Sequence, residues 1–347
     1  MSENVKVGIS LGDINGIGPE LVLKTFSDSL PTSNITPVLY GSEQLIQVFK
    51  DQLNLQDLAI HIITSAEEAR ENVVNLICVW EENIEVSIGE SNKTGGTYAF
   101  KSLQRAVDDL NDGTTDALVT APINKENIQS ANFSFPGHTE YLADRAGVEN
   151  ALMFMCSDNL KIGVVTGHIP ISKVATTISK EGIESKVRQI DNALKQDFAI
   201  KEPKIAVLGL NPHAGEQGLI GKEDDAIIVP AIDQMNQEGI LAFGPFPADG
   251  FFGSRNYKNY DGILAMYHDQ GLIPFKALTF GKGVNYTAGL PIIRTSPDHG
   301  TAFDIAGKNV ATISSFQAAL IMARDISLNR RAHQNVNNKG PVIGSME

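Results

Sequence analysis

The chain alternates short apolar runs with longer amphipathic segments. The runs that favour strands are rich in Val, Ile and Leu, and they cover residues 5–11, 37–40, 117–120, 161–166, 204–210 and 262–267. The segments with helical periodicity cover residues 42–50, 97–111, 181–197 and 225–237, and a further helix is predicted to begin near Pro19. Strands separated by helices predict an α/β fold with a largely parallel or mixed sheet.

The 347 residues allow two domains or one large domain, at roughly 100–200 residues per domain. We find no internal repeat and no linker rich in Pro and Ser. Two domains would therefore share a continuous sheet or exchange segments. The tail from about Asn329 is polar, and we expect it to be loosely ordered.

The composition is that of a folded, acidic protein, with 42% hydrophobic residues and a formal net charge of -13. An acidic surface repels phosphate backbones, which argues against nucleic acid as a partner but leaves room for a small anion beside a local cluster of cations. The N-terminus shows no secretory signal, and no apolar run approaches the roughly 20 residues that span a bilayer. We therefore expect a cytoplasmic protein without membrane contact. Cys78 and Cys156 lie in apolar runs and are predicted to be buried thiols.

Three of the seven histidines follow closely on predicted strands. His168 follows the run 161–166, His213 follows 204–210, and His268 directly follows 262–267. In open α/β sheets ligands bind beyond the carboxyl ends of strands, so three imidazoles there could converge on one divalent metal. The alternative is that each histidine is a hydrogen-bonded loop residue, because the spacing is long and no compact metal motif is present.

Other polar residues gather in loops. The segment 120–125 follows a predicted strand, and the segment 135–140 begins a predicted helix whose N-terminal donors could hold an anion. Lys276, Asn285 and Arg294 lie on three successive segments and could clamp a phosphate or a carboxylate. Each of these residues taken alone could equally be a solvated surface residue.

Several common motifs are missing from the sequence. No Gly-x-Gly-x-x-Gly follows the first strand, and the glycine-rich segment 12–20 has a different spacing. No phosphate loop ending in Gly-Lys-Ser or Gly-Lys-Thr occurs, and no Gly-x-Ser-x-Gly occurs. These absences disfavour a conventional Rossmann cofactor site and a serine hydrolase.

Eight segments carry a family resemblance when they are taken together. They are Gly12-Asp-Ile-Asn-Gly-Ile-Gly-Pro-Glu20, Thr120-Ala-Pro-Ile-Asn-Lys125, Phe135-Pro-Gly-His-Thr-Glu140, Thr166-Gly-His168, Leu210-Asn-Pro-His-Ala-Gly-Glu216, Gly244-Pro-Phe-Pro-Ala-Asp249, Ala265-Met-Tyr-His-Asp-Gln-Gly271 and Gly289-Leu-Pro-Ile-Ile-Arg-Thr-Ser296. From about residue 7 to residue 308, the chain resembles the PdxA family of 4-hydroxythreonine-4-phosphate dehydrogenases. One departure is Gly250, where the family more often has Thr, and the stretch 251–260 also differs.

The resemblance implies the two-domain α/β fold of isocitrate and isopropylmalate dehydrogenases, with mixed sheets. It also implies a homodimer whose active site lies in the interdomain cleft at the dimer interface. Residues 1–135 and 290–347 would form a discontinuous first domain. Residues 136–289 would form a second domain with the metal site and the dimer contacts.

The resemblance also implies site residues. The metal ligands would be His168, His213 and His268, the last from the other subunit, with Asp249 as a further catalytic or orienting carboxylate. The substrate would contact His138, Thr139, Lys276, Asn285 and Arg294. The segment 298–308 resembles the nicotinamide dinucleotide loop of the wider superfamily, with Gly300, Thr301, Asp304 and Gly307 as the cofactor contacts.

The implied reaction is oxidation of 4-phosphohydroxy-L-threonine at C3 by NAD or NADP, followed by decarboxylation to 3-amino-2-oxopropyl phosphate, in pyridoxal 5'-phosphate (vitamin B6) biosynthesis. Imidazole ligands suit Zn, Co or Ni better than Mg. The sequence leaves open the choice between NAD and NADP. It also leaves open the general base, for which Asp249, Asp269 and a metal-bound water are candidates.

Three other functions fit parts of the same pattern. A paralogue acting on D-erythronate 4-phosphate or D-threonate 4-phosphate would use the same metal and phosphate residues. A metal-dependent phosphohydrolase would use the three histidines to activate water and would not need the segment 298–308. A non-catalytic protein that binds a metal or a sugar phosphate is the third alternative.

Overall fold

One mixed sheet of twelve strands runs through the part of the chain that the computed structural model describes, residues 4–27, 34–149 and 151–338. The strands are β1 (Val5–Ser10), β2 (Ile35–Gly41), β3 (Ile60–Ile63), β4 (Val74–Cys78), β5 (Ala117–Thr120), β6 (Leu152–Ser157), β7 (Leu160–Thr166), β8 (Lys204–Leu208), β9 (Leu241–Phe246), β10 (Gly262–Tyr267), β11 (Val284–Ala288) and β12 (Arg294–Pro297).

Helices connect most of these strands. They are α1 (Gly18–Ser27), α2 (Glu43–Leu53), α3 (Lys93–Asn111), α4 (His138–Arg145), α5 (Ile171–Thr177), α6 (Lys180–Gln196), α7 (Val229–Gln237), α8 (Ala248–Gly253), α9 (His268–Thr279) and α10 (Ser314–Asn338). Among the described residues, no helix is both long enough and apolar enough to cross a bilayer.

The strand order is β3-β4-β2-β1-β5-β12-β11-β6-β7-β10-β8-β9. Strand β11 is antiparallel to both of its neighbours, β12 and β6, and β6 is antiparallel to β7. The other neighbouring pairs are parallel. The strands β7, β10, β8 and β9 therefore place their carboxyl ends along one edge, and the predicted α/β fold with a mixed sheet is confirmed.

Helices cover both faces of the sheet. On one face a large apolar core contains side chains of α1, α2, α6, α7 and α10. On the other face two smaller cores contain side chains of α3 and α4 at one end and of α8 and α9 at the other. The sheet is continuous through both ends, so the division of the chain near residues 135 and 290 stays a prediction.

The predicted elements match the structure closely where the apolar runs are long. The predicted strands 117–120 and 262–267 coincide with β5 and β10, and the other predicted strands differ from β1, β2, β7 and β8 by a few residues at most. The strands β3, β4, β6, β9, β11 and β12 were not predicted as strands. The predicted helix 225–237 is divided, because a π turn at Asp224–Ile228 precedes α7.

Two expectations are wrong. Cys78 is exposed, because it is the last residue of β4, whereas Cys156 is buried as predicted. The polar segment from Asn329 is helical to Asn338, and residues 339–347 lie outside the described part of the chain. This end of α10 is held by Asp197, which lies just beyond α6: its backbone oxygen accepts a hydrogen bond from Asn329 and its Oδ1 accepts one from Arg330.

We predict that Asp197→Ala lowers the free energy of unfolding by about 3–5 kcal/mol. Asp197 is 3% exposed, its Oδ1 lies 2.6 Å from Arg330 Nε, and its Oδ2 accepts a 2.5 Å hydrogen bond from the Tyr286 hydroxyl. The substitution leaves the Arg330 charge half-buried and without its carboxylate. Denaturant unfolding measures the change. Asp325→Ala breaks the more exposed Arg324–Asp325 pair on the same helix. It should lower the free energy of unfolding by less than about 1 kcal/mol. Equal losses in the two variants would contradict the prediction.

Candidate active site

A cavity of about 660 Å³ lies over the middle of the sheet. Its floor is set by strand register, because Asn285 of β11 pairs with Ser296 of β12 on one side and with Met155 of β6 on the other. Side chains paired across neighbouring strands point to the same face of a sheet. Arg294 of β12 and Val164 of β7 also line the cavity. The sheet therefore places polar groups of β11 and β12 beside apolar groups of β6 and β7.

The walls of the cavity are strongly polar. The ionisable residues that line it are Lys125, His138, Glu140, His168, Lys186, His268, Lys276, Arg294, Asp298 and His299. Four of them are Lys or Arg and only two are carboxylates. In a chain with a net charge of -13, this local excess of cations favours an anionic ligand.

Arg294 is the most deeply buried of these charges, at 2% exposure. Its Nε and Nη2 donate hydrogen bonds of 3.0 and 2.7 Å to Thr120 Oγ1, and its Nη1 donates one of 3.2 Å to Thr287 Oγ1. Among the described residues, no carboxylate lies within the 4.0 Å of an ion pair with this side chain. Burial lowers the pKa of the guanidinium to about 9, which leaves it charged at neutral pH. Arg294 is therefore a buried positive charge available to an anion.

His138 is the first residue of α4 and lies at the cavity wall. Its Nε2 is buried and has no hydrogen-bond partner among the described residues. Burial lowers the pKa of this imidazole well below 6.5, and the nearby charges of Arg294 and Lys125 lower it further. The ring is therefore neutral at pH 7. Gly137, the N-cap of α4, also lines the cavity together with Thr139 and Glu140, so the N-terminus of this helix borders the cavity.

The remaining residues expected to bind substrate also reach the cavity. Thr139 lies in the first turn of α4, and Lys276 extends from the last turn of α9. Asn285 presents a buried Oδ1 with no hydrogen-bond partner within the described ranges. The structure thus brings all five predicted substrate residues together around one space.

His168 and His268 meet at the carboxyl ends of neighbouring parallel strands. His168 lies two residues beyond β7, His268 directly follows β10, and the two ring centroids are 5.4 Å apart. Burial lowers the pKa of His168, with smaller contributions from Lys125 and His268. His268 Nδ1 is 2.7 Å from Asp269 Oδ1, which fixes the ring and leaves Nε2 free. Both histidines line the cavity within one chain.

His213 and Asp249 do not line this cavity. They follow β8 and β9, the next two strands along the same edge, and both side chains are exposed. His213 has a φ of 54°, so its backbone is in the left-handed region. Across residues 4–27, 34–149 and 151–338, no three His, Cys, Asp or Glu side chains are close enough to hold a metal ion. A single chain therefore assembles two of the three predicted metal ligands.

The segment 298–308 follows β12 at the mouth of the cavity. Gly300 lines the cavity and has open space beside it, and Thr301 is buried. The backbone oxygen of Thr301 accepts a 3.0 Å hydrogen bond from Ile17, which ties the segment to the start of α1. Asp304 is exposed, and the backbone oxygen of Gly307 accepts a hydrogen bond from Gln52 of α2. Only the first part of the predicted cofactor segment therefore borders the cavity.

The glycine-rich segment 12–20 connects three parts of the fold around the cavity. Asp13, fully buried, accepts hydrogen bonds from the Asn15 backbone and from Asn127 Nδ2, and burial raises its pKa. Gly12 has a φ of 69°, and a Cβ there would lie 2.3 Å from the Pro122 oxygen, so only glycine fits. The segment thus joins β1, the loop after β5 and the segment 298–308.

Sequence reasoning assigned no role to five ionisable residues of the cavity, which are Lys125, Glu140, Lys186, Asp298 and His299. Lys125 lies in the segment 120–125, and its positive charge contributes to the lowered pKa values of His138 and His168. Glu140 follows Thr139 on α4. Lys186 of α6 donates hydrogen bonds to Ala151 O and Gln189 Oε1, and burial lowers its pKa. The first two belong to segments already singled out, whereas nothing distinguishes Lys186 from other lysines of an amphipathic helix.

Comparison with known proteins gives one consistent family. The family model described as pyridoxal phosphate biosynthetic protein PdxA matches residues 33–323. A protein of Bacteroides thetaiotaomicron named 4-hydroxythreonine-4-phosphate dehydrogenase is 48% identical over 95% of this chain and 91% of its own length. A protein of Oceanobacillus iheyensis provisionally named D-threonate 4-phosphate dehydrogenase is 38% identical over 94% of this chain and 99% of its own length.

The same result comes from structure. A crystal structure of 4-hydroxythreonine-4-phosphate dehydrogenase from Klebsiella pneumoniae superposes with a TM-score of 0.80 at 36% sequence identity. The match covers 94% of this chain and 98% of that chain. The two chains therefore share the whole fold and not only one part of it.

We predict that His138 makes the protein less stable in mild acid. The folded state holds this ring neutral, whereas the unfolded chain protonates it near its usual pKa of 6.5. Stability is therefore lost as the pH falls below 6.5, by up to about 1.4 kcal/mol per pH unit for one proton. Denaturant unfolding at several pH values should show a shallower loss for His138→Gln than for the wild type. Parallel pH profiles for the two proteins would contradict this account.

Proposed function

The chain belongs to the PdxA family of pyridoxal phosphate biosynthetic proteins, and we propose how its cavity carries out the reaction of that family. The chain is an oxidoreductase that oxidises 4-phosphohydroxy-L-threonine in pyridoxal 5'-phosphate biosynthesis. The proposal concerns the residues that bind substrate, metal and nicotinamide, and the order of the chemical steps.

The observation that carries the proposal is the buried Arg294 charge in a cavity with an excess of cations. A buried charge without an opposite charge in contact lowers the stability of the fold. An anionic ligand that binds to it would recover that loss. The substrate carries a phosphate and a carboxylate. We propose that Arg294, Lys276 and the first turn of α4 hold these groups, since charged donors and helix N-termini bind oxyanions strongly.

His138 and Asn285 complete the substrate contacts in this proposal. Each has a buried polar atom without a partner among the described residues, Nε2 of His138 and Oδ1 of Asn285. A buried polar atom without a hydrogen bond costs stability, and a substrate hydroxyl or ammonium would relieve that cost. Because the substrate would be held at both of its charged ends, its C3 carbon would be fixed in position for hydride loss.

His168 and His268 suit a divalent metal. Both line the cavity, burial lowers the pKa of His168 and so favours its neutral ring, and the contact of Asp269 with Nδ1 of His268 leaves Nε2 available. We propose His213 as the third ligand, and Zn as the metal that best suits three imidazoles, with Co or Mg as alternatives. When bound, the cation supplies positive charge that eases proton loss from the C3 hydroxyl and then stabilises the electrons left by decarboxylation.

We propose that a homodimer completes this metal site. His213 is exposed and stands apart from the other two ligands within one chain. Large exposed apolar side chains flank each of the three histidines in sequence: Ile171 is 72% exposed, Leu219 82% and Ile273 66%. A second copy could bury these side chains while bringing the third ligand to the site.

The mouth of the cavity suits a nicotinamide cofactor. Gly300 leaves open space there, and the segment is held to α1 by the hydrogen bond between Ile17 and Thr301. We propose that Gly300, Thr301, Asp304 and Gly307 contact NAD or NADP. When bound, the oxidised nicotinamide supplies the hydride acceptor. The apolar floor at Met153, Met155 and Val164 would exclude water from the reacting carbon.

The chemical order follows from the substrate. Loss of the hydroxyl proton and of hydride from C3 gives a 3-oxo acid, and such acids lose carbon dioxide readily when the new carbonyl accepts the electrons. Protonation of the resulting carbon gives 3-amino-2-oxopropyl phosphate. Throughout, the contacts to the phosphate would keep that end of the substrate in place while the carboxyl group leaves.

We predict that the purified protein reduces NAD or NADP when given 4-phosphohydroxy-L-threonine and a divalent metal. The measurement is the rise in absorbance of the reduced nicotinamide, with D-erythronate 4-phosphate and D-threonate 4-phosphate tested in parallel. Both sugar acids keep the phosphate and carboxylate but replace the amine with a hydroxyl. Turnover with a sugar acid alone would reject the substrate assignment, and release of inorganic phosphate without nicotinamide would indicate a phosphohydrolase.

We predict that His168→Ala lowers turnover by at least about a hundredfold, since loss of a metal ligand removes most of the electrostatic stabilisation of the transition state. Metal content per chain, measured by atomic emission, should fall with it, while circular dichroism stays unchanged. His61→Ala, on β3 far along the sheet, is the matched control and should retain both properties. Full activity of His168→Ala after treatment with a chelator would show that the metal proposal is wrong.

A further inference from the structure

Within the described residues, Thr120 and Thr287 are the only protein groups that accept hydrogen bonds from the Arg294 side chain. Thr120 is the last residue of β5, Thr287 lies on β11, and both are fully buried. Because β12 lies between β5 and β11 in the sheet, the two hydroxyls hold the guanidinium from either side. A threonine hydroxyl is neutral, so neither contact cancels the charge.

The hydrogen bonds to the two threonines determine which N–H groups of Arg294 remain for a ligand. A guanidinium has five N–H groups: one on Nε and two on each terminal nitrogen. Thr120 takes one from Nε and one from Nη2, and Thr287 takes one from Nη1. Two N–H groups are therefore left, one on each terminal nitrogen. That pair matches two oxygens of a phosphate or a carboxylate in a bidentate contact.

We infer that Thr120 is a positioning residue. By accepting hydrogen bonds from the edge of the guanidinium that carries Nε, it orients Arg294 so that the two terminal nitrogens face the substrate oxyanion. Thr287 supports the same orientation from the other side. The choice of hydroxyls over a carboxylate keeps the full charge for the ligand, whereas an aspartate at either position would neutralise it. The inference rests on the proposed function for the identity of the substrate, but anion binding tests it without turnover.

The test uses the full-length protein and two variants of similar shape. Thr120→Val removes the acceptor and keeps the volume, while Thr120→Ser keeps the acceptor. The matched control is Thr295→Val on β12, because Thr295 is buried beside Arg294 in sequence but its hydroxyl donates to Ala319 of α10 on the far side of the sheet. Isothermal titration with inorganic phosphate and, separately, with acetate gives the dissociation constants.

We expect Thr120→Val to weaken binding of phosphate, acetate or both by about tenfold to a hundredfold, since a charged donor that loses its acceptor also loses its orientation. Thr120→Ser and Thr295→Val should stay within about twofold of the wild type. A loss confined to phosphate would assign Arg294 to the phosphoryl group, and a loss confined to acetate would assign it to the carboxylate. In either case the positioning role stands.

The inference is overturned if Thr120→Val binds both anions as tightly as Thr295→Val, or if Thr120→Ser is no better than Thr120→Val. It is also overturned if the wild type binds neither anion. If Thr120→Val does not fold, Thr287→Val replaces it in the same titrations. Phosphate binding that depends on Thr120, in a wild type that does not oxidise 4-phosphohydroxy-L-threonine, would reject the proposed function and leave this inference intact.

Discussion

The site depends on one buried charge, the guanidinium of Arg294, which the fold surrounds with hydroxyl oxygens. Burial of this cation lowers stability, because Glu140 attracts it only at longer range and no carboxylate of the described residues forms an ion pair with it. We propose that an anion recovers this cost when it binds, because hydrogen bonds to charged groups in a dry site are among the strongest that a protein makes. The neighbouring cations and the first turn of α4 would add to the same attraction, whereas the neutral His138 would offer a hydrogen bond without a charge.

The sheet fixes the position of the Arg294 charge relative to His168 and His268. Arg294 stands on β12 and His168 follows β7, so their separation is set by the strands β11 and β6 that lie between them. The antiparallel pairs at this centre join two parallel parts of the sheet that run in opposite directions. The buried segment 12–20 then ties the loop after β5 to the segment 298–308. Movement of one wall of the cavity would therefore have to strain the others.

Much of this could be read from the sequence, for reasons that lie in particular residues. The strand β10 is an apolar run between Asp261 and His268, and β5 lies between Asp116 and Pro122, so the ends of both strands were predicted correctly. His168 and His268 were recognisable because each follows such a run. All five predicted substrate residues line the cavity. Lys276, Asn285 and Arg294 were grouped because they lie on three successive segments, whereas His138 and Thr139 were assigned to the substrate by family resemblance.

Other features were beyond sequence reasoning because they depend on long-range contacts. Strand β12 is short and polar, and β11 is short and carries two polar residues among five; both are stabilised as strands by pairing with β5 and β6. The polar end of α10 is helical because Asp197, far away in sequence, binds Arg330. Lys186 enters the cavity only through the packing of α6. The position of His213 within one chain, apart from His168 and His268, also follows from the fold of its loop and not from the strand that precedes it.

The most direct test of the central claim is a crystal structure of the protein with 4-phosphohydroxy-L-threonine bound. Our account predicts that one oxyanion of the substrate lies within roughly 3 Å of both terminal nitrogens of Arg294, with Thr120 still accepting from Nε. A substrate bound elsewhere, or an Arg294 side chain that contacts only protein groups and water in the complex, would contradict it.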